Sequence, residues 1–179
     1  RLRAQKVPFI AITMEPAFGS IDDYVTQVDD AIERAWQATG TAPLLVGHSM
    51  GGLAIRAWRR WRNTHAGDSD TRFVHALTIG SPHHGTATAS HSRAANAKQM
   101  RLNSHWLQQL AAGESTARNA RLTCYYSHCD NIVMPAASAT LPGARNVHLP
   151  GWAHVELIFA PSIFGEVLHR ASSSSDAAQ

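Results

Sequence analysis

Apolar positions along the chain alternate between short unbroken runs and helical stripes. Residues 7–13 (VPFIAIT) form an apolar, β-branched run bounded by Glu15-Pro16 and Gly19, which predicts a buried strand. Ser20 then stands as a helix N-cap with Asp22 and Asp23 in the first turn. Tyr24, Val28, Ile32 and Ala35 recur at helical spacing until Gly40. Residues 43–47 (PLLVG) are a second apolar run, followed at once by a helical stripe of Met50, Leu53, Ala54, Ala57, Trp58 and Trp61. Arg56, Arg59, Arg60 and Arg62 fall opposite that stripe and read as a solvated face. Further strands are predicted over 73–79 (FVHALTI), 122–126 (LTCYY) and 146–149 (NVHL), and a last helix over 162–171. Between the third and fourth strands lies a longer insert, 83–120, with a helix over about 104–112. The end, 172–179 (SSSSDAAQ), reads as a disordered tail.

Strands that are apolar throughout and alternate with amphipathic helices indicate a mostly parallel sheet buried on both faces, an α/β fold. The length of 179 residues fits a single domain, 1–171, followed by the tail. With 44% apolar and only 16% charged residues, the composition excludes disorder, collagen and coiled coil. The net charge of +3 comes without basic blocks, so nucleic acid is not an expected partner. No apolar run reaches the roughly 18 residues of a membrane span. Cys124 and Cys129 are too few for a disulfide scaffold; they either close one small loop or remain free thiols.

Gly47-His48-Ser49-Met50-Gly51 is a G-x-S-x-G match at a predicted strand-to-helix junction. A serine hydroxyl is a poor nucleophile unless presented to a base, and the tight turn that presents it leaves room only for small residues two before and two after. The same turn sets the Met50 backbone N–H at a helix N-terminus, where it can hold an oxyanion. The match falls where apolar periodicity alone ends a strand and begins a helix, which selects Ser49.

Such a serine needs a base and the base an orienting acid, in the chain order Ser, Asp or Glu, His. Asp130 follows the 122–126 strand by a few residues, and His154 follows the last strand, a turn ahead of the final helix. Among 11 histidines it is order that singles out His154. Glu156 and Glu114 are the rival acids, the first only two residues from His154 and the second inside the insert.

These residues resemble the bacterial triacylglycerol lipase and esterase branch of the α/β-hydrolase family. The resemblance rests on 46–52 (VGHSMGG), 78–85 (TIGSPHHG) and 127–154, which holds Asp130-Asn131-Ile132-Val133 and 143–147 (GARNV). It implies Ser49 as nucleophile, His154 as base and Asp130 as acid. It sets His83 near the site, and His48, His83 and Trp152 become the expected substrate-contact positions, with packing as the alternative for His83 and Trp152. Members of the branch carry a strand and a His-Gly loop ahead of the segment matching Arg1, and that loop supplies the second oxyanion donor, expected therefore upstream of Arg1. No cofactor is implied; His84 and His91 are two histidines without a recognisable second pair of metal ligands.

The expected activity is hydrolysis of carboxylic esters through an acyl-enzyme. An acyltransferase or thioesterase with the same triad, and a non-catalytic hydrolase-like binding module, are the alternatives. The expected partner of this monomeric chain is a small-molecule or lipid ester, with contact to a lipid interface open. So is export or membrane anchoring through a segment ahead of Arg1. Met100, Leu102, Trp106, Leu107 and Leu110 of the insert either shape an acyl pocket under a lid or face the core.

Overall fold

The computed structural model describes residues 1–176, with side chains described for 1–172. Its centre is a four-stranded, all-parallel sheet in sequence order: β1 (Leu44–His48), β2 (His75–Ile79), β3 (Leu122–Tyr126) and β4 (Arg145–His148). α1 (Val25–Thr39) precedes β1, α2 (Met50–His65) links β1 to β2, and α6 (Pro161–Asp176) closes the chain. Parallel neighbours require crossovers, and the long β2–β3 connection is built from α3 (Ala95–Gln99), α4 (His105–Ala112) and α5 (Thr116–Asn119).

β2 is buried at all of its positions, as an inner strand covered on both faces should be. Alternation along β2 and β3 sends side chains into two cores. Ala76, Leu122 and Cys124 join Tyr24, Leu53, Trp58 and Phe73 beneath α1 and α2. Leu77, Ile79 and Tyr125 join Leu157 and Ile163 on the side of α6. Trp58, wholly buried, satisfies its indole by donating to Asp29 Oδ1 at 2.8 Å.

The helix start at Ser20 is as expected. Its hydroxyl accepts from Asp22 N while Asp23 Oδ2 accepts from Ser20 N, a capping box that opens a 3-10 turn, Ile21–Tyr24, leading into α1. Gly40, at φ 69°, ends α1 in the left-handed conformation.

Three expectations are corrected. Residues 7–13 do not form a strand: β1 pairs only with β2, no neighbouring strand reaches this segment among the described residues, and Phe9 and Ile12 lie exposed. An apolar run without a ladder partner has nowhere to place its backbone hydrogen bonds as a strand. The arginine face of α2 is only partly solvated: Arg60 and Arg62 are half-buried, while Arg56 and Arg59 are 1% and 4% exposed. Arg56 donates from Nε and Nη2 to the two carboxylate oxygens of Glu114, each at 2.8 Å, and Arg59 meets Asp70 at 3.1 Å. Glu114 of the insert and Asp70 of the turn ahead of β2 replace water at these two guanidiniums. Finally, α6 runs to Asp176, through part of the segment read as a disordered tail; residues 177–179 lie outside the described residues.

Of the insert's apolar residues, Leu107 and Leu110 are core and Met100 and Trp106 pack against it, while Leu102 is exposed. Core packing is thus the role of Leu107 and Leu110, with Met100 and Trp106 at its margin.

Candidate active site

The turn after β1 carries Ser49 at φ 52° and ψ −124°, a conformation that a non-glycine residue holds only under constraint. The constraint is visible. A Cβ on Gly47 would stand 2.6 Å from Gly51 C and Gly52 N, and one on Gly52 would stand 2.2 Å from Ser81 Oγ. Strand, turn and helix can approach this closely only because glycine occupies these positions. Ser49 N donates to Ile79 O at 2.8 Å, fastening the elbow to the end of β2. Ser49 Oγ makes no hydrogen bond among the described residues. Met50 opens α2, so its N–H belongs to the first turn and has no acceptor within the helix.

Asp130 and His154 are brought together from separate loops. His154 Nδ1 lies 2.8 Å from Asp130 Oδ2, and the residues are 4% and 7% exposed. Asp130 Oδ1 accepts the N–H groups of Ile132 and Val133, each at 2.8 Å. Burial pushes the Asp130 carboxyl upward, but the His154 bond and the two backbone donors outweigh it and hold it below the ordinary value of 3.8. The group is therefore a carboxylate that accepts, His154 Nδ1–H donates, and Nε2 is left as the basic nitrogen.

Gly80, next to Ile79, makes room for this pair. It sits at φ 54°, and a Cβ there would lie 3.1 Å from Asp130 Oδ2 and 3.2 Å from His154 Nδ1. His48, the residue before Ser49, donates from Nε2 to His154 O at 3.1 Å, and the two rings lie 4.8 Å apart. Burial lowers the His48 pKa against the opposing pull of that carbonyl, so the ring is neutral at pH 7. His154 thus borders both the residue before Ser49 and the one after Ser49's backbone acceptor. No hydrogen bond joins Ser49 to His154 directly; such bonds are often long without substrate and tighten in the complex.

The rival acids are occupied elsewhere. Glu114 holds Arg56, and Glu156 accepts the Ala153 N–H at 3.1 Å, bracing the turn that presents His154. Asn131 Oδ1 accepts from His154 N at 3.3 Å. Sequence reasoning passed over both Gly80 and Asn131; the Asp-Asn pair and the glycine ending a strand were the available signals.

Of the two roles open to His83, substrate contact or packing, its surroundings are those of packing. It is 1% exposed, with Nε2 at 2.9 Å from Thr78 Oγ1 and 3.5 Å from Cys124 Sγ, and burial drives its pKa well below 6.5. Its carbonyl accepts from Arg56 at 3.0 Å, so it anchors the turn after β2 from below. Trp152 is half-buried against the α6-side core, which makes it a wall residue. Cys124 and Cys129 are both free, Cys124 buried and its thiol pushed up to about 11 by burial, Cys129 exposed. His84 and His91 do not converge with other potential ligands, and among the described residues no three His, Cys, Asp or Glu side chains do.

A search of curated protein sequences finds no match. Among solved structures, the mature form of Bacillus licheniformis lipase BlEst2 is similar with a TM-score of 0.65 at 13% identity, over 86% of this chain and 75% of that one. Aspergillus fumigatus lipase B gives 0.60 at 19% identity, over 75% of this chain but 34% of its own length. A Paleococcus ferrophilus monoacylglycerol lipase gives 0.50 at 15%, over 88% and 75%. At such identities the likeness is one of fold, and the fold is the lipase-like α/β-hydrolase fold. Residues 17–157, a span that takes in the Ser49 elbow, the Gly80 turn and the Asp130–His154 pair, match the model of one family, and the chain belongs to it: the PGAP1-like alpha/beta domain family.

Proposed function

We propose that the protein hydrolyses carboxylic esters through a Ser49 acyl-enzyme. One observation carries the reading: a serine held at positive φ between packed glycines, its neighbour His48 bonded to the histidine of a buried carboxylate–imidazole pair whose Nε2 is free. His154 takes the Ser49 proton as Oγ attacks the ester carbonyl, and Asp130 steadies the imidazolium that forms. The Met50 N–H stabilises the oxyanion at the positive end of α2. His154 returns the proton to the leaving alcohol, then activates the water that releases the acid and regenerates Ser49.

An apolar ester suits the surroundings. Ile132 and Met134 follow Asp130, and Val155, Ile158 and Phe159 follow His154; all are between 38% and 62% exposed. Large apolar side chains clustered in the two loops that hold acid and base favour an acyl chain over a charged substrate.

The experiment is hydrolysis of p-nitrophenyl esters of increasing chain length, together with labelling by a fluorophosphonate probe. Ser49→Ala should abolish labelling and lower turnover by about 10⁶. Unchanged hydrolysis, or labelling that survives the substitution, would overturn the assignment.

A further inference from the structure

His128 and His148 lie together on the surface at the carboxyl ends of β3 and β4, outside the machinery just described. Parallel register pairs Tyr126 with His148, and His128 is two residues beyond Tyr126, on the same side of the chain. The two imidazoles are 4.5 Å apart between ring centroids and inclined at 70°, with the Tyr126 ring 5.2 Å from His148 and 5.9 Å from His128. Both histidines are exposed, and neither ring makes a hydrogen bond among the described residues. Two adjacent imidazoles whose nitrogens have no protein partner and are accessible to water are available to a ligand.

The spacing fits two imidazoles sharing one metal ion. A nitrogen-bound zinc ion sits about 2.0–2.1 Å from its ligand atom, hence about 3.2 Å from the ring centre, so two imidazoles meeting at one ion at about 90–110° have centroids about 4.5–5.2 Å apart. The observed separation is at the near end of that range. We propose that His128 and His148 form a binding site for a divalent transition cation that prefers imidazole, such as Zn²⁺ or Cu²⁺. The protein supplies two ligands and water the others, which makes the site exchangeable rather than a permanent structural centre. A cation held there would pin β4 to the 127–131 loop, which carries Asp130. The inference is independent of the ester-hydrolase reading.

The test is calorimetric titration of the whole chain with Zn²⁺ and separately with Cu²⁺ at neutral pH, with imidazole NMR resonances as a second readout. One equivalent should bind, Cu²⁺ more tightly than Zn²⁺. His128→Gln and His148→Gln should each weaken binding by about tenfold or more, and circular dichroism should show both variants folded. Cys129→Ser and His91→Gln, which alter a neighbouring thiol and a remote exposed imidazole, should bind as the parent does. Parental affinity in either histidine variant would overturn the site, and so would loss of binding in Cys129→Ser.

Discussion

Gly80 lies directly beneath Asp130: the place where its side chain would begin is 3.1 Å from the carboxylate oxygen that holds His154. The turn after β2 is thus the floor on which Asp130 and His154 meet. The same turn fastens the nucleophile elbow, since the neighbouring Ile79 carbonyl accepts the Ser49 N–H. One short turn, Ile79-Gly80, therefore touches Ser49 through its backbone and borders Asp130 and His154 through the missing side chain.

Gly80→Ala should damage both stability and catalysis. An L-residue at this left-handed φ costs about 1–2 kcal/mol, which in a chain of this size lowers the melting temperature by about 2–8 °C. The added methyl also presses on the Asp130–His154 bond, so kcat should fall by about tenfold or more with little change in KM. Gly165→Ala is the control: it lies within α6 with open space around it and should be neutral or stabilise by about 0.5–1 kcal/mol. Thermal melts and steady-state kinetics on a soluble ester decide, and parental kcat in Gly80→Ala would refute the positioning role.

Asp130→Asn should lower turnover by about 10⁴ while leaving the fold intact. The amide oxygen can still accept from Ile132 and Val133, but the amide no longer stabilises the imidazolium that His154 becomes. Glu156→Gln should change turnover little, because its carboxylate only braces the Ala153 amide. Reversal of that order would make Glu156 the acid.

The site was largely legible in the sequence because its constraints are local or ordinal. The Ser49 elbow declares itself through glycine spacing at a strand-to-helix junction, and Asp130 and His154 through their order after later strands. α1, α2, α4 and α6 and four of the predicted strands were legible for the same reason, their apolar periods being written within single segments, whereas the short α3 and α5 were not. What depended on distant partners was not. Arg56 reads as a surface residue until Glu114 comes to it from the insert, and residues 7–13 read as a strand whatever stands beside them. His83 carries no mark in sequence that separates a buried anchor from a substrate contact; its burial under α2 does.

Arg56 and Glu114 tie the insert to α2, and breaking the tie should be expensive. Arg56→Met leaves a carboxylate that is largely buried and a His83 carbonyl without its donor, for a loss of about 3–5 kcal/mol. Glu114→Leu alone strands the guanidinium at similar cost. The double variant should lose clearly less than the sum of the two, because each single change strands the other member of the pair and the double change strands neither charge. Chemical denaturation of the four proteins measures the coupling, and simple additivity would show that the pair contributes nothing as a pair.

His75 should give the fold a distinct acid sensitivity. Its ring is held among β-strands with Nε2 at 2.9 Å from Thr123 Oγ1, and burial lowers its pKa from 6.5 to about 4, Arg170 adding to the effect and Glu166 opposing it. The folded-state value is depressed, so as the pH falls below 6.5 the unfolded chain binds a proton that the folded chain does not. Stability therefore declines from about pH 6.5 to about pH 4 on this account and levels off below. The loss is on the order of 1–3 kcal/mol, with a slope of at most about 1.4 kcal/mol per pH unit. Asp130 acts in a separate window: its carboxyl is depressed below 3.8, so its contribution is present above that pH and is lost only as the pH falls through the lower folded value. His75→Gln can keep a polar contact to Thr123 and removes the titration, so it should flatten the stability profile between pH 6.5 and pH 4. His83, buried and depressed in the same direction, keeps part of the slope in place. Urea denaturation at a series of pH values makes the comparison, and a slope in His75→Gln equal to that of the parent would show that His75 is not the source.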